Sequence, residues 1–246
     1  MALQKQKVLG IPVHLHDSYS DWLIERLLQG LGTHVVTLNT EMVMQARANP
    51  DLARIIEAAE LAVPDGAGVV LYLRSLNFQI KRCPGIELAE TLVKAAGTSA
   101  KTLYMLGGAP GVLDVVVENW QKNMPQFQRD RLVGMHHGYF DSQDEVKILE
   151  DLAEQQPNLI LVGLGVPRQE LWIAQHRHLC ANSIWIGVGG SFDVWSGAKQ
   201  RAPQLMQDWH LEWLYRLYLE PWRWRRMLSI PQFAWCVVQQ RLGWHQ

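Results

Sequence analysis

One carboxylate, Asp65, lies between a proline and a glycine in the segment LAVPDGAGVVL (61–71). An apolar run ends just before it and a helical pattern begins just after it, so the side chain falls at a turn between a strand and a helix. There an aspartate can accept N–H bonds from the first helical turn, or it can take a proton as a general base. The two roles compete, because a carboxylate that accepts several N–H bonds is a weaker base.

Glycines and small polar residues end several other apolar runs. The turns are LNT (38–40), PDG (64–66), LGGAPG (106–111), GLGVPRQE (163–170) and GVGGSFD (187–193). A single glycine at a strand end can simply permit a tight turn, but five such ends favour a shared ligand site. Helices follow these turns, and their free N–H groups and positive dipole ends attract phosphate. The pattern predicts a ligand that carries phosphate.

Strand and helix patterns alternate along most of the chain. HVVTLN (34–39) is typical of a buried strand, residues 40–60 of a helix with a break near Pro50, and residues 86–96 of an amphipathic helix. Between residues 101 and 190, four strand patterns alternate with three helix patterns. This rhythm predicts an α/β fold, a Rossmann-like parallel sheet covered by helices.

Composition narrows the class of protein. The chain has 246 residues, is 48% hydrophobic and carries a formal net charge of -1, so it can bury a core and has no global attraction to nucleic acid. Its three cysteines form no CxxC pair, which argues against a zinc site or a disulfide framework and fits a reducing cytosol. No segment is apolar and long enough to predict a signal sequence or a membrane span, so we expect a soluble, cytoplasmic protein.

Three common types of functional site are argued against because their sequence motifs are missing. LGGAPG lacks the G-x-G-x-x-G spacing of dinucleotide sites, and the strand after it ends at His136 and His137 rather than at an acid for a ribose hydroxyl. There is no G-x-x-x-x-G-K-[ST] phosphate loop. Ser191 has no glycine two residues later, so the G-x-S-x-G elbow of acyl transfer is missing too.

Eight motifs, in order along nearly the whole chain, resemble those of the TagA/CpsF/WecG family of bacterial glycosyltransferases. They are VTLNTEMV (36–43), VPDGAGVV (63–70), RCPGIEL (82–88), LGGAPGV (106–112), HGYF (137–140), GLGVPRQE (163–170), GVGGSFDVWSGAKQRAP (187–203) and EWLYRLYLEPWRWRR (212–226). Each motif alone is weak, but their order and the two long final blocks make the resemblance specific.

The resemblance implies an enzyme of cell-surface polysaccharide synthesis. Such an enzyme moves a sugar, of N-acetylmannosamine type or a hexose, from a UDP donor to a polyprenyl-diphosphate-linked saccharide, with inversion to a β-linkage. It further implies an α/β core, 1–203, and a helical appendage, 204–246, that touches the inner face of the plasma membrane. Whether the protein forms a homo-oligomer is left open.

The resemblance also assigns roles to residues. It makes Asp65 the base, although capping remains the competing role. The sequence has no Asp-x-Asp pair to hold a metal, so arginines are expected to stabilise the departing diphosphate, with no metal or other cofactor. The arginines at matching positions are Arg82, Arg216, Arg223 and Arg226. A surface ion pair is the alternative for Arg82, and contact with lipid headgroups is the alternative for the other three.

Other matching positions imply a donor site. Its expected residues are Thr37, Asn39, Gly108, Tyr139, Gln169, Glu170 and Asp193. Simpler roles stay open for three of them: Asn39 could end its strand, Tyr139 could belong to the core, and Glu170 could complement a helix dipole. The chain departs from the common family pattern at Thr40 and at Glu87, which leaves the sugar and the acceptor undefined.

The segment 204–246, here called the tail, has its own composition. It holds six of the eleven tryptophans, five arginines, no lysine and three acids. Pro221 and Pro231 predict about three short helices, with Trp209, Trp213 and Leu217 on one stripe. Tryptophan and arginine together suit a membrane interface, whereas a stripe can also pack on the protein's own core.

Two other functions remain compatible with the sequence. A non-catalytic nucleotide-sugar-binding or membrane-recruiting protein could share the fold without turnover. A nucleotide-sugar epimerase would act without a lipid acceptor. Release of UDP that depends on a lipid-linked acceptor distinguishes the transferase from both.

Overall fold

The structure is a computed structural model that describes residues 3–209 and 211–243, without the side chains of Gln204, Asp208, Arg216 and Arg223. The strands in these residues are β1 (Gln4–Val8), β2 (Ile11–Leu15), β3 (Thr33–Leu38), β4 (Leu61–Pro64), β5 (Leu103–Gly107), β6 (Leu132–His136), β7 (Leu159–Gly163) and β8 (Ile184–Gly187). The helices of the core are α1 (Tyr19–Gln29), α2 (Thr40–Ala48), α3 (Pro50–Ala58), α4 (Ala67–Arg74), α5 (Gly85–Thr98), α6 (Val112–Asn123), α7 (Ser142–Gln155), α8 (Arg168–His176) and α9 (Ser191–Trp195). The helices of the tail are α10 (Gln204–Asp208), α11 (Glu212–Leu219), α12 (Trp224–Met227) and α13 (Ser229–Arg241).

Six of the strands form one parallel sheet in the order β4-β3-β8-β7-β5-β6. Helices cover both faces, so the predicted Rossmann-like α/β architecture is confirmed. Parallel strands place all their carboxyl ends at one edge of the sheet, where ligands bind in such folds. The fold therefore brings the glycine-rich turns together.

Alternation along the strands builds a core on each face of the sheet. In β3, Val35 packs with α1 and α5 on one side, while Val36 packs with α2 and α3 on the other. Neighbouring strands repeat the pattern, as with Leu159 and Ile160 in β7. Every residue of β3 is buried, as expected for a central parallel strand.

The first 30 residues contain elements that the sequence reading did not assign. Strands β1 and β2 form an antiparallel hairpin, which turns at Leu9 and Gly10 with positive φ at both. The His14 Nδ1 atom accepts the backbone N–H of Ala62 at 2.9 Å, so β2 protects the edge strand β4. Helix α1 begins after Ser18, whose hydroxyl accepts the N–H of Asp21.

The tail has more helical segments than its prolines predicted. Pro221 opens a short 3-10 segment before α12, as a break would require. Pro231, in contrast, lies in the first turn of α13, where a missing N–H breaks no helical bond. No helix in the described residues is both long and apolar enough to cross a bilayer.

Candidate active site

A cleft of about 1760 Å³ opens along the carboxyl edge of the six-stranded sheet. Its lining includes residues at or just beyond the end of each of the six strands, and residues of α11, α12 and α13 line it from the tail. Nine of the predicted site residues line this cleft: Thr37, Asn39, Asp65, Arg82, Gly108, Tyr139, Gln169, Asp193 and Arg226.

Asp65 lies immediately after β4, with its backbone N–H donating to the carbonyl oxygen of Leu38 at 3.0 Å. Gly66, rather than Asp65, occupies the N-cap position of α4. Arg82 contacts the aspartate twice: its Nε donates to the backbone carbonyl oxygen, and its Nη2 lies 3.4 Å from Oδ1. The carboxylate thus lies beside a guanidinium inside the cleft, at the carboxyl edge of the sheet.

Arg82 connects the core to the tail. Its Nη2 also lies 2.5 Å from Oε2 of Glu212, the first residue of α11. Burial acts against the charged form of Arg82, but the carboxylates of Asp65 and Glu212 outweigh it and raise the pKa of the guanidinium. Arg82 is therefore a fixed positive charge in the cleft.

Thr37 and Asn39 stand at the end of β3 and hold the backbone around them. The Asn39 Oδ1 atom accepts the N–H of Met42 at 3.0 Å and caps α2, while the Thr37 hydroxyl donates to the carbonyl oxygen of Gly187 at 3.3 Å. Both residues nevertheless line the cleft. Capping and contact with a ligand are therefore compatible at Asn39.

Gln169 and Glu170 open α8 but have different positions. The Gln169 Oε1 atom accepts the N–H of Gly189 at 3.0 Å, and its Nε2 donates to Glu170 Oε1 at 3.0 Å. Glu170 is fully buried and does not line the cleft; its other oxygen lies 2.8 Å from Nε2 of His34. Glu170 is thus placed behind Gln169, where it orients that amide and the glycine loop.

Gly108 and Tyr139 come from the β5 and β6 side of the cleft. The Gly108 carbonyl oxygen accepts the N–H of Gly138 at 2.8 Å, which ties the two turns together. The Tyr139 side chain is 75% exposed, so the alternative role in the core does not apply. Its ring is available to a ligand.

Asp193 forms an ion pair with a residue that was not predicted. Its Oδ2 lies 2.7 Å from Nζ of Lys199, which also lies 3.2 Å from Oε1 of Glu220 in the tail. Burial opposes the charge on Lys199, but the two carboxylates raise its pKa overall. In the described part of the chain, no three His, Cys, Asp or Glu side chains cluster in a way that could hold a metal ion.

Comparison with known proteins identifies the family. The model of the glycosyl transferase WecG/TagA/CpsF family matches residues 6–246. The chain belongs to this family.

Several named relatives are similar to this chain along most of their length. Enzymes named N-acetylglucosaminyldiphosphoundecaprenol N-acetyl-beta-D-mannosaminyltransferase from Bacillus spizizenii and Bacillus subtilis are each 35% identical to this chain. Their alignments cover 92% and 91% of this chain, and 84% and 86% of the relatives. The Staphylococcus aureus enzyme of the same name is 33% identical over 84% of this chain and 80% of its own.

The tail of this WecG/TagA/CpsF member contacts the core through α12 and α13 as well as through Glu212 of α11. Nε of Arg226 lies 2.7 Å from Oε1 of Glu41 on α2, and Phe233 of α13 is buried beside Tyr72 of α4. The side chains of Arg216 and Arg223 lie outside the described residues, so the structure does not place these two predicted catalytic groups.

Aromatic side chains of the tail remain largely uncovered. Trp209 and Trp222 are 75% and 71% exposed, and Trp213, Trp224 and Trp235 are exposed as well. The predicted stripe of Trp209, Trp213 and Leu217 is not continuous, since Trp209 follows the end of α10 and the other two residues lie on α11. Neither tryptophan is buried in the core.

Sequence reasoning missed several charged residues of the cleft. Glu212, Lys199 and Arg201 all lie within the family motifs quoted above, but none received a role. Glu87, a departure from the family pattern, places its Oε1 2.5 Å from Nη2 of Arg201. The sequence signal that could have identified Lys199, Arg201 and Glu212 was their position in the two long motifs at 187–203 and 212–226.

Proposed function

We propose that this protein is an inverting glycosyltransferase that moves a sugar of N-acetylmannosamine type, or a hexose, from a UDP donor to a polyprenyl-diphosphate-linked saccharide. Membership of the family supports glycosyl transfer. The names of the Bacillus and Staphylococcus relatives support a lipid-diphosphate acceptor, an N-acetylmannosamine donor group and a β-linked product.

The observation that carries the mechanism is the Asp65 carboxylate beside Arg82 in a cleft at the sheet edge. In a single displacement, the acceptor hydroxyl gives its proton to Asp65 while its oxygen attacks the anomeric carbon. The bond from that carbon to the diphosphate oxygen breaks, and the electron pair leaves with UDP. Attack from the opposite side inverts the anomeric centre, so an α-linked donor gives a β-linked product.

Positive side chains are suited to the charge that develops on the departing diphosphate. Arg82 and Arg226 both line the cleft, and Arg82 is held charged by its carboxylate neighbours. Fixed cations stabilise such charge without any rearrangement during the reaction. We therefore propose a reaction that needs no metal ion.

Chelation tests this choice. Transfer should persist in excess EDTA and change less than about two-fold when magnesium is added, because the arginines supply the positive charge. The initial rate with and without chelator is the measurement. Complete loss of activity on chelation, restored by one metal, would contradict the arginine mechanism.

We propose that the donor binds the part of the cleft formed by the turns that follow the strands of the sheet, here called the floor. Thr37 and Gln169 lie beside the turn after β8, where backbone N–H groups can meet phosphate or sugar oxygens, and Asn39 lies beside Gly66 in the turn after β4. Tyr139 is exposed and can stack on the uracil, and Asp193 can reach a ribose or uracil donor group.

A polyprenyl anchor keeps the acceptor saccharide close to a bilayer, so the cleft must approach the headgroups. The exposed tryptophans and the arginines of the tail are suited to that surface. We propose that the protein acts as a peripheral protein at the inner face of the plasma membrane.

Acceptor-dependent release of UDP tests the proposed function. Purified protein is mixed with UDP-N-acetylmannosamine, with and without a GlcNAc-diphosphoprenyl acceptor, and UDP and the glycolipid product are quantified. Equimolar UDP and product, formed only with acceptor, are expected. Nucleotide-sugar binding without turnover would indicate a binding protein, and isomerisation of the donor without acceptor would indicate an epimerase.

A further inference from the structure

The Glu212 carboxylate is held between two arginines of the core. Its Oε2 lies 2.5 Å from Nη2 of Arg82, and its Oε1 lies 3.7 Å from Nε of Arg201. The side chain is only 12% exposed. One anionic group thus presents an oxygen to each of two guanidinium groups inside the cleft.

The two arginines and the carboxylate come from different parts of the molecule. Arg82 precedes α5 and Arg201 lies in the segment between α9 and α10, whereas Glu212 is the first residue of α11 in the tail. Arg201 also reaches Glu87, and Arg82 also reaches Asp65. The arginine pair is therefore held by the core whether or not Glu212 is present.

Paired guanidinium groups are suited to an anion with several oxygens. Arginine forms its strongest contacts with carboxylate and phosphate oxygens, through N–H groups in a fixed fork. A diphosphate offers more charge and more acceptor oxygens than the single carboxylate of Glu212. Both would need the same N–H groups.

We propose that Arg82 and Arg201 form a diphosphate-binding site which Glu212 occupies in this conformation and must leave before a diphosphate ester can bind. The proposal rests on the proposed function and adds to it a binding residue, Arg201, and a competing group, Glu212. The ligand class is a diphosphate ester, which both a nucleotide sugar and a prenyl-linked acceptor contain.

The contacts of the tail are compatible with such a movement. Among the side chains that the structure describes, the tail forms two further ion pairs with the core, Lys199 with Glu220 and Arg226 with Glu41, and both are partly open to solvent. Phe233 on α13 is buried in the core, so the far end of the tail is anchored separately. Helix α11 can therefore move while α13 stays in place.

Titration calorimetry of the full-length protein with UDP tests the competition. Because a competing internal carboxylate raises the apparent Kd, Glu212→Gln should lower the Kd for UDP by about five-fold to ten-fold. Arg201→Gln should raise it by roughly ten-fold, since one partner of the phosphate oxygens is lost. Glu212→Gln keeps the size of the side chain, and the melting temperature of the variant shows whether it folds.

Glu220→Gln is the matched control. It removes the same charge from the same tail and leaves Lys199 paired with Asp193, and Glu212 stays between the arginines. Its Kd for UDP should stay within about two-fold of that of the unmodified chain, a change below 0.5 kcal/mol. Equal tightening in both variants would mean a general loosening of the tail and would overturn the proposal.

Farnesyl diphosphate, a soluble prenyl diphosphate, distinguishes the two sources of the ligand. Tightening by Glu212→Gln for UDP alone assigns the site to the donor, and tightening for farnesyl diphosphate alone assigns it to the acceptor. Unchanged or weaker binding of both probes overturns the proposal. The absence of sugar transfer by the unmodified chain would refute the proposed function, while these binding constants would still decide the role of Glu212.

Discussion

The floor of the cleft and its tail wall are built in opposite ways. On the floor, Gln169 and Glu170 are fully buried and use hydrogen bonds to hold the loop at Gly189. On the tail side, α11 meets the core through ion pairs while Trp222 and Trp209 face solvent. Buried, fully bonded polar groups favour one arrangement, whereas the ion pairs at α11 are partly open to solvent and can exchange partners. The difference separates a rigid binding surface from a wall that can move.

Replacement of the floor carboxylate should have the largest effect. Asp65→Asn should lower kcat by roughly 100-fold or more, because asparagine cannot accept the proton, while the Kd for UDP stays nearly unchanged. Steady-state kinetics with the lipid-linked acceptor and calorimetry with UDP measure both. Near-normal turnover of the purified variant would show that Asp65 is not the base.

Two substitutions on α13 can distinguish its buried side, which anchors the tail, from its exposed side. Phe233→Ala should reduce the free energy of unfolding by about 3 kcal/mol, because a ring that is 5% exposed leaves a cavity beside α2 and α4. Trp235→Ala, on the same helix but exposed, should change it by less than about 0.5 kcal/mol. Denaturant unfolding measures both, and equal losses would show that α13 has no anchored face.

The tail should also contribute to catalysis through Arg226. Arg226→Ala should lower kcat by roughly ten-fold on a soluble, short-chain acceptor, where membrane binding plays no part. Arg225→Ala is the control, since that guanidinium lies over the ring of Trp224 and does not line the cleft. If both variants keep the full rate on the soluble acceptor, Arg226 has no catalytic role.

The smallest effect is expected at the exposed tryptophans. Trp222→Ala should weaken binding to anionic liposomes by roughly five-fold, because the indole no longer enters the headgroup region. Val146→Ala, which alters an exposed apolar residue of α7, should leave binding unchanged. Cosedimentation at several salt concentrations measures the binding, which should weaken as salt rises. If Trp222→Ala binds liposomes as tightly as the unmodified chain does, Trp222 is not part of the membrane contact.

The sequence predicted the sheet well because its central strands are buried on both faces and are rich in apolar and β-branched residues, as in HVVTL and LILVG. It did not predict the hairpin, because Gln4–Val8 is short, rich in lysine and mostly uncovered. Helix α1 had a signal that was overlooked, namely Ser18 followed three residues later by Asp21, a cap with an acid in the first turn.

The predicted site residues that directly follow a strand line the cleft, since the edge of a parallel sheet fixes where they must lie. Glu170 was assigned to the donor site because it matches a family position, but the structure places its buried side chain behind Gln169, and it does not line the cleft. The partners of Arg82 could not be predicted, because Glu212 lies 130 residues away and approaches only through the packing of the tail. Contacts between distant charges depend on tertiary structure that no local pattern records.

Glycine at the floor of the cleft restricts how this enzyme could be re-engineered. A Cβ at Gly187 would lie 2.3 Å from Nε2 of Gln169, and one at Gly85 would lie 2.6 Å from Cγ2 of Thr37. Larger residues there would displace the side chains that shape the pocket. A library aimed at a different sugar or acceptor should therefore leave these codons fixed and diversify cleft positions of the tail such as Trp213 and Met227. New specificity would then arise from substitutions in the tail, while the residues at the strand ends stay unchanged.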